Sequence, residues 1–155
     1  MIHIHIEKKK IRAFIILASL CIISICLFFM FNKKERFVFY FQHRDTGALQ
    51  VESRYLPKVK KEDRVNLLVD ELLLGPMADR SLPLFPRNTR SLSTALVGKT
   101  LYVNLSSEAL NILDEASTNK KGAALFRKNV FRNLKNIDII QIYIDGSSIY
   151  ENEGF

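Results

Sequence analysis

Ala13 to Phe31, AFIILASLCIISICLFFMF, runs nineteen residues without a charge, and its only polar side chains are two serines. Wound as a helix at about 1.5 Å per residue it covers roughly 28 Å, close to the ~30 Å hydrocarbon core of a bilayer. The run is too apolar to be one face of a soluble helix. In lipid, a helix is the single-segment structure that satisfies its own backbone polar groups. A transmembrane helix over 13–31 is therefore expected. The run exceeds the usual apolar region of a cleaved signal peptide and no A-x-A-like site follows it, so an uncleaved signal anchor is preferred.

Four basic residues precede the helix (Lys8, Lys9, Lys10, Arg12) and three follow it (Lys33, Lys34, Arg36). This small bias keeps residues 1–12 as a cytoplasmic tail and exports the remainder. The charge count sharpens the reading. Residues 1–36 hold seven basic and two acidic side chains, whereas residues 37–155 hold sixteen and fourteen. The net charge of +7 thus belongs mostly to the membrane flanks, where it anchors helix ends and meets anionic lipid, and a nucleic-acid partner loses its support. Both cysteines, Cys21 and Cys26, lie inside the apolar run. That leaves the exported part without a disulfide framework or a cysteine zinc site. Leu20 and Ile25 precede them where a lipidation signal wants a small residue.

After Arg36 the period changes. Phe37 to Phe41 is aromatic and β-branched, a buried strand; Asp45-Thr46-Gly47 turns the chain; Leu49 to Leu56 alternates, with Leu49, Val51 and Tyr55 on one face and Gln50, Glu52 and Arg54 on the other. This predicts a hairpin starting almost at the membrane surface. Lys60 to Leu74 predicts a helix with Val65, Leu68, Val69, Leu72 and Leu73 as one stripe, stopped by Gly75 and Pro76. Met77 to Asn88 reads as a loop whose Leu82, Leu84 and Phe85 either pack on the core or face a partner. Two strands, 89–97 and 100–105, meet at Gly98-Lys99. Ser106 or Ser107 then caps a helix, a second helix covers 123–136, and Ile139 to Ile144 turns at Asp145-Gly146 into a short last strand. The order gives an α+β fold: a mainly antiparallel sheet with two or three helices on one face.

The segments VNLLVDELLLGP (65–76), PLFPRNTRSLS (83–93), GKTLYVNLSSEAL (98–110) and FRKNVFRNLKNIDIIQIYIDG (126–146) together resemble a GerMN domain, the sporulation and spore-germination family, over about residues 60–150. Gly75, Pro76, Pro86, Ser106, Asp145 and Gly146 are the matched positions, and each reads as architectural: a helix stop, a stiffened loop, a cap, a turn. The resemblance implies an envelope protein exposed outside a bacterial cytoplasmic membrane, as a single GerMN-like domain spanning 37–155 where some members carry two. It implies a sensor-like or assembly-associated module related to ring-building folds, with no catalytic residues to carry over. A spore-specific role does not transfer from it.

Chemistry is sparse. Gly98-Lys99-Thr100 mimics the end of a phosphate loop, but Ser93 stands where the first glycine belongs. His43 is the exported part's one histidine and has no G-x-S-x-G partner; His3 and His5 sit in the tail without a further ligand. Asp70 and Glu71 are adjacent on a helix and diverge, and Asp138 and Asp145 flank a strand about 20 Å apart. The expectation is a non-enzymatic protein–protein interaction or assembly component, single-pass in the membrane, with protein partners and self-association but no cofactor or metal. Candidate contacts are the Leu82–Phe85 loop and exposed sheet edges. A small-molecule or cell-wall-fragment sensor is the alternative, and a wall hydrolase a third.

Overall fold

The structure, a computed structural model, describes residues 8–31, 33–111 and 119–148. His3, His5 and the last strand beyond Ser148 lie outside these described residues. Helix α1 (Lys8–Phe31) contains a stretch, Lys10–Phe29, long and apolar enough to cross a membrane by length and composition. No part of that stretch is buried. The Ser19 hydroxyl donates to the Ile16 carbonyl at 2.8 Å, closing a polar group within the helix itself. Cys21 and Cys26 are free thiols on its exposed surface.

The rest is an α+β fold: β1 (Lys34–His43), β2 (Leu49–Pro57), α2 (Asp63–Leu74), β3 (Ser81–Leu82), β4 (Ser91–Val97), β5 (Thr100–Leu105), a 3₁₀ turn (Ser107–Leu110), α3 (Asn119–Asn133), β6 (Ile139–Ile144) and β7 (Ser147–Ser148). The described residues form two sheets where the sequence led us to expect one. The first is antiparallel in the order β2-β1-β3; the second runs β4-β5-β6-β7 and is mixed, because β5 and β6 are parallel. The parallel pair has a simple cause. The chain leaves β5, passes through α3 and returns as β6, and such a crossover brings the second strand back in the same direction.

Periodicity builds the core. Val65, Leu68, Val69 and Leu72 of α2 are buried, as are Leu101, Val103 and Leu105 of β5 and Ile140, Ile142 and Ile144 of β6. Phe126 and Val130 of α3 join them, with Phe37, Phe39 and Phe41 of β1. One close approach locks α3 in place: a Cβ at Gly122 would overlap the Leu84 carbonyl oxygen. Only a glycine lets the helix lie against that backbone.

Candidate interaction surface

The β1–β2 hairpin carries the surface that stands out. Its register runs from Lys34 opposite Pro57 to Gln42 opposite Leu49, which sets Phe37 across from Arg54 and Phe39 across from Glu52. The phenylalanines face the core, so the β2 residues on their face are Gln50, Glu52, Arg54 and the buried Leu56. The row Leu49, Val51 and Tyr55 is therefore the outward one. Arg54 is buried, and its guanidinium carbon lies 4.7 Å from the Phe39 ring centroid and 5.7 Å from that of Phe41. Its Nη2 donates to the Gly75 carbonyl at 2.6 Å and to Glu52 at 3.0 Å, and its Nη1 donates to the Glu71 carboxylate at 3.0 Å and the Glu71 carbonyl at 3.2 Å. Glu52 in turn accepts the N–H groups of Met77 and Ala78. A cation thus closes the carbonyl end of α2, where the helix dipole favours positive charge.

The consequence lies on the other side. Leu49, Val51 and Tyr55 point outward, 45%, 56% and 65% exposed, beside the half-buried Val38 and Tyr40 of β1. The Lys128 ammonium sits 4.9 Å from the Tyr40 ring centroid, trimming one margin of this face. Strand β2 is also the outer strand of its sheet, so among the described residues no strand lies beside its far backbone edge.

Strand β3 covers the opposite edge of β1 at Gln42 and His43, and side chains close it at Val38 and Tyr40. Asn129 accepts the Tyr40 N–H at 2.6 Å and donates to the Tyr40 carbonyl at 2.9 Å; Asn133 does the same for Val38 at 2.9 and 2.8 Å. Two residues along a strand span roughly 6.8 Å and four along a helix roughly 6.0 Å, so the amides match the strand's spacing. Sequence reasoning missed this pair. Its signal was two asparagines four apart in a helix otherwise patterned for packing.

The other candidates fall as follows. Leu84 and Phe85 are buried, Phe85 lying 6.0 Å ring to ring from Phe126, and Leu82 is half-buried in β3. The loop therefore offers a partner little of its apolar content. Gly75 has φ +85° and its N–H reaches the Leu72 carbonyl; Pro76 follows, half-buried. The Pro86 carbonyl accepts both the N–H and the hydroxyl of Thr89. Asp145 (φ 48°) and Gly146 (φ 77°) turn β6 into β7, and the Gly146 N–H donates to Asn104 at 3.0 Å. Ser106 does not cap through its side chain; its hydroxyl accepts the Arg90 N–H at 3.0 Å. That hydroxyl also bonds the Glu108 carboxylate. With the Glu108 backbone N–H and nearby Arg90, it holds this carboxyl below its ordinary value of 4.5. His43 takes the N–H groups of Asp45 and Thr46 on its Nδ1, a turn-shaping role.

A cleft of about 750 Å³ opens beside the carboxyl half of α2, with Leu73, Pro83 and Phe85 among its walls and Asp70, Arg87 and Arg90 at its margins. Among the described residues, no three His, Cys, Asp or Glu side chains converge as a metal site requires.

The family model described as Germane, sporulation and spore germination, matches residues 38–150, so the likeness begins within β1 and includes the hairpin. Among solved structures, the tandem GerMN domains of the sporulation protein GerM from Bacillus subtilis align with a TM-score of 0.55 at 16% identity, over 76% of this chain and 42% of that one. This chain thus spans under half of the tandem protein's length. The first GerMN domain of the same protein aligns with a TM-score of 0.47 at 15% identity, over 74% and 86%. A predicted lipoprotein from Clostridium perfringens gives 0.46 at 22% identity, over 75% and 78%. No curated protein matches the chain.

Proposed function

Because the chain belongs to the Germane family of sporulation and spore germination, we propose that it is a membrane-anchored, non-enzymatic interaction module of the bacterial envelope. In this reading α1 spans the cytoplasmic membrane with its N-terminus inside, and the α+β unit stands outside as a contact module for other proteins, including copies of itself. One observation carries it: the row Leu49, Val51, Tyr55 turned to solvent on a strand with a free edge. Apolar side chains on a strand with one open backbone edge are what strand addition and apolar packing use.

The test is site-specific photocrosslinking of the full-length protein in cells, with the crosslinker at Val51 or Tyr55 and a control at Ser107. Discrete adducts from the hairpin positions and none from the control are expected. Monomer alone from Val51 and Tyr55, in resting and dividing cells, overturns the proposal.

The cleft beside α2 supports a second reading, a receptor for an anionic wall fragment. Its apolar walls and its arginines Arg87 and Arg90 are the kind of lining such a ligand uses. Isothermal titration of the detergent-solubilised chain with soluble muropeptides tests this. Binding lost in Arg87→Ala/Arg90→Ala supports it; no heat removes it.

A further inference from the structure

Counted over 37–155 the charge is nearly balanced, yet the fold does not distribute it evenly. Lys58 donates its backbone N–H to the Lys33 carbonyl at 2.8 Å, which puts the start of β1 beside the segment entering α2. Arg64 in the first turn of α2 binds Glu35 at 2.7 Å and the Asn133 carbonyl at 3.3 Å, adding the end of α3 to the same place. Lys61, Lys135, Leu96 and Ile137 line one shallow depression there. The base of the unit therefore gathers Lys33, Lys34, Lys58, Lys60, Lys61 and Lys135, all exposed and none in an ion pair among the described residues. Of the acidic groups there, Glu35 is held by Arg64 and Asp138 by Lys99; Glu62 and Asp63 remain. Val97 at the adjacent β4–β5 turn is 64% exposed.

This is also the end from which α1 departs. Phe31 closes α1 and Lys34 opens β1, a gap the chain spans in at most about 11 Å. A lysine cluster so close to a helix suited to crossing a bilayer has one surface always within reach. We infer that the base docks on the anionic headgroups of the membrane that α1 crosses, its lysines meeting phosphate and Val97 reaching the interface. The inference rests on the reading of α1 as a span and deepens it: the membrane becomes a second binding partner, recognised by the folded unit.

The test uses the full chain with Cys21→Ala/Cys26→Ala, in nanodiscs of pure phosphatidylcholine or of phosphatidylcholine and phosphatidylglycerol in equal parts. An environment-sensitive fluorophore is placed through Asn136→Cys at the base or Thr46→Cys at the far turn, and quenched by a nitroxide on the lipid headgroup. Strong quenching at 136 and little at 46 is expected in the anionic discs. It should fall by half or more in the neutral discs, in Lys58→Glu/Lys60→Glu/Lys61→Glu, and in about 1 M salt, where the screening length drops to roughly 3 Å. Equal quenching at 136 in both lipids overturns the inference while leaving the span intact. A separate chain carrying only Cys26→Ala, labelled at Cys21 and read with a mid-bilayer quencher, checks the span: no quenching there overturns the span and the docking together. Charge reversal that leaves lipid quenching unchanged but abolishes an adduct with an acidic protein assigns the surface to that protein and also overturns the inference.

Discussion

Arg54 sits where a strand facing a phenylalanine ladder would ordinarily carry an aliphatic side chain. Its guanidinium serves four acceptors on two elements, and the arrangement tolerates no simple truncation. Arg54→Ala is expected to cost about 3 kcal/mol in urea unfolding, the low end of what breaking a buried pair costs. The low end applies because Glu52 and Glu71 keep 12% and 21% exposure and can rehydrate. Arg54→Lys should recover only a small part, since one ammonium cannot fork between Gly75 and Glu71. The same residue shows what alternation does and does not reveal. A period of two gives the two faces of β2, but which face is inside depends on register, and a one-residue slip would exchange them. A cue was nonetheless present: opposite charges at 52 and 54 on one face, with a helix ending at Gly75 that needs a cation at its carbonyl end. Glu108 gives a residue-scale prediction in pH. Its folded value lies below 4.5, so the stability it adds is present above that point and is lost as pH falls through the folded value. Glu108→Gln should flatten the acid limb of stability below about pH 4.5 and lower stability slightly at neutral pH, read from denaturant midpoints across pH. Fully exposed, the group should contribute only a shallow slope.

Helix α3 is placed by two devices, and each yields a prediction. Asn129 is fully buried and pairs with both backbone groups of Tyr40, so Asn129→Ala orphans a donor and an acceptor at once. At about 1–3 kcal/mol per unsatisfied group, a loss of roughly 3 kcal/mol is expected in chemical denaturation. Asn129→Asp should be no better, because a carboxylate has nothing to donate to the Tyr40 carbonyl. Gly122→Ala tests the other device, and here two effects compete. Alanine gains about 1 kcal/mol of helix propensity over glycine. Its Cβ, however, would overlap the Leu84 carbonyl oxygen, a backbone atom that cannot rotate away. Overpacking of that kind costs about 1–3 kcal/mol, so net destabilisation is expected, with α3 displaced from the β1 edge and faster exchange of the Tyr40 amide. The existence of α3 was legible from Phe126 and Val130, both buried, but the helix runs Asn119–Asn133 and not 123–136, so Leu134 and Ile137, also buried, follow its end. Its job was not. Periodicity reports the apolar stripe of a helix, while a hydrogen-bonding margin made of two asparagines carries no period of its own. The parallel pairing of β5 and β6 was implicit in the strand–helix–strand order. The hairpin-rich start of the chain drew the reading toward antiparallel instead.

At the scale of the molecule, the proposed span and the inferred docking would together put two constraints on one height above the bilayer. The tether between Phe31 and Lys34 limits the base to about 11 Å from the helix end. The basal lysines, at about 1 kcal/mol each near an anionic surface, add attraction that does not depend on the tether. Strand β1 then works as a ruler: ten residues at about 3.4 Å reach roughly 34 Å, and Val51, paired with Tyr40, lies at most roughly 20 Å from the strand's start at Lys34. A partner fixed in the same membrane would meet the outward row only at that height. The two constraints should be redundant, which gives a prediction neither makes alone. A twelve-residue Gly-Ser insertion after Asn32 frees the unit to move by roughly 19 Å, yet the lysines should still hold it down. Photocrosslinking yield at Val51 should therefore change little. Lys58→Glu/Lys60→Glu/Lys61→Glu alone should also change it little, because the short tether still confines the base. Combining the insertion with the charge reversal removes both restraints, and the Val51 adduct should then fall sharply while the urea midpoint stays at that of the charge-reversal variant. If insertion alone abolishes the adduct, the tether sets the height unaided. If the combination leaves the adduct intact, the partner is not fixed in the membrane, and its contact with the hairpin is strong enough to draw the unit to it.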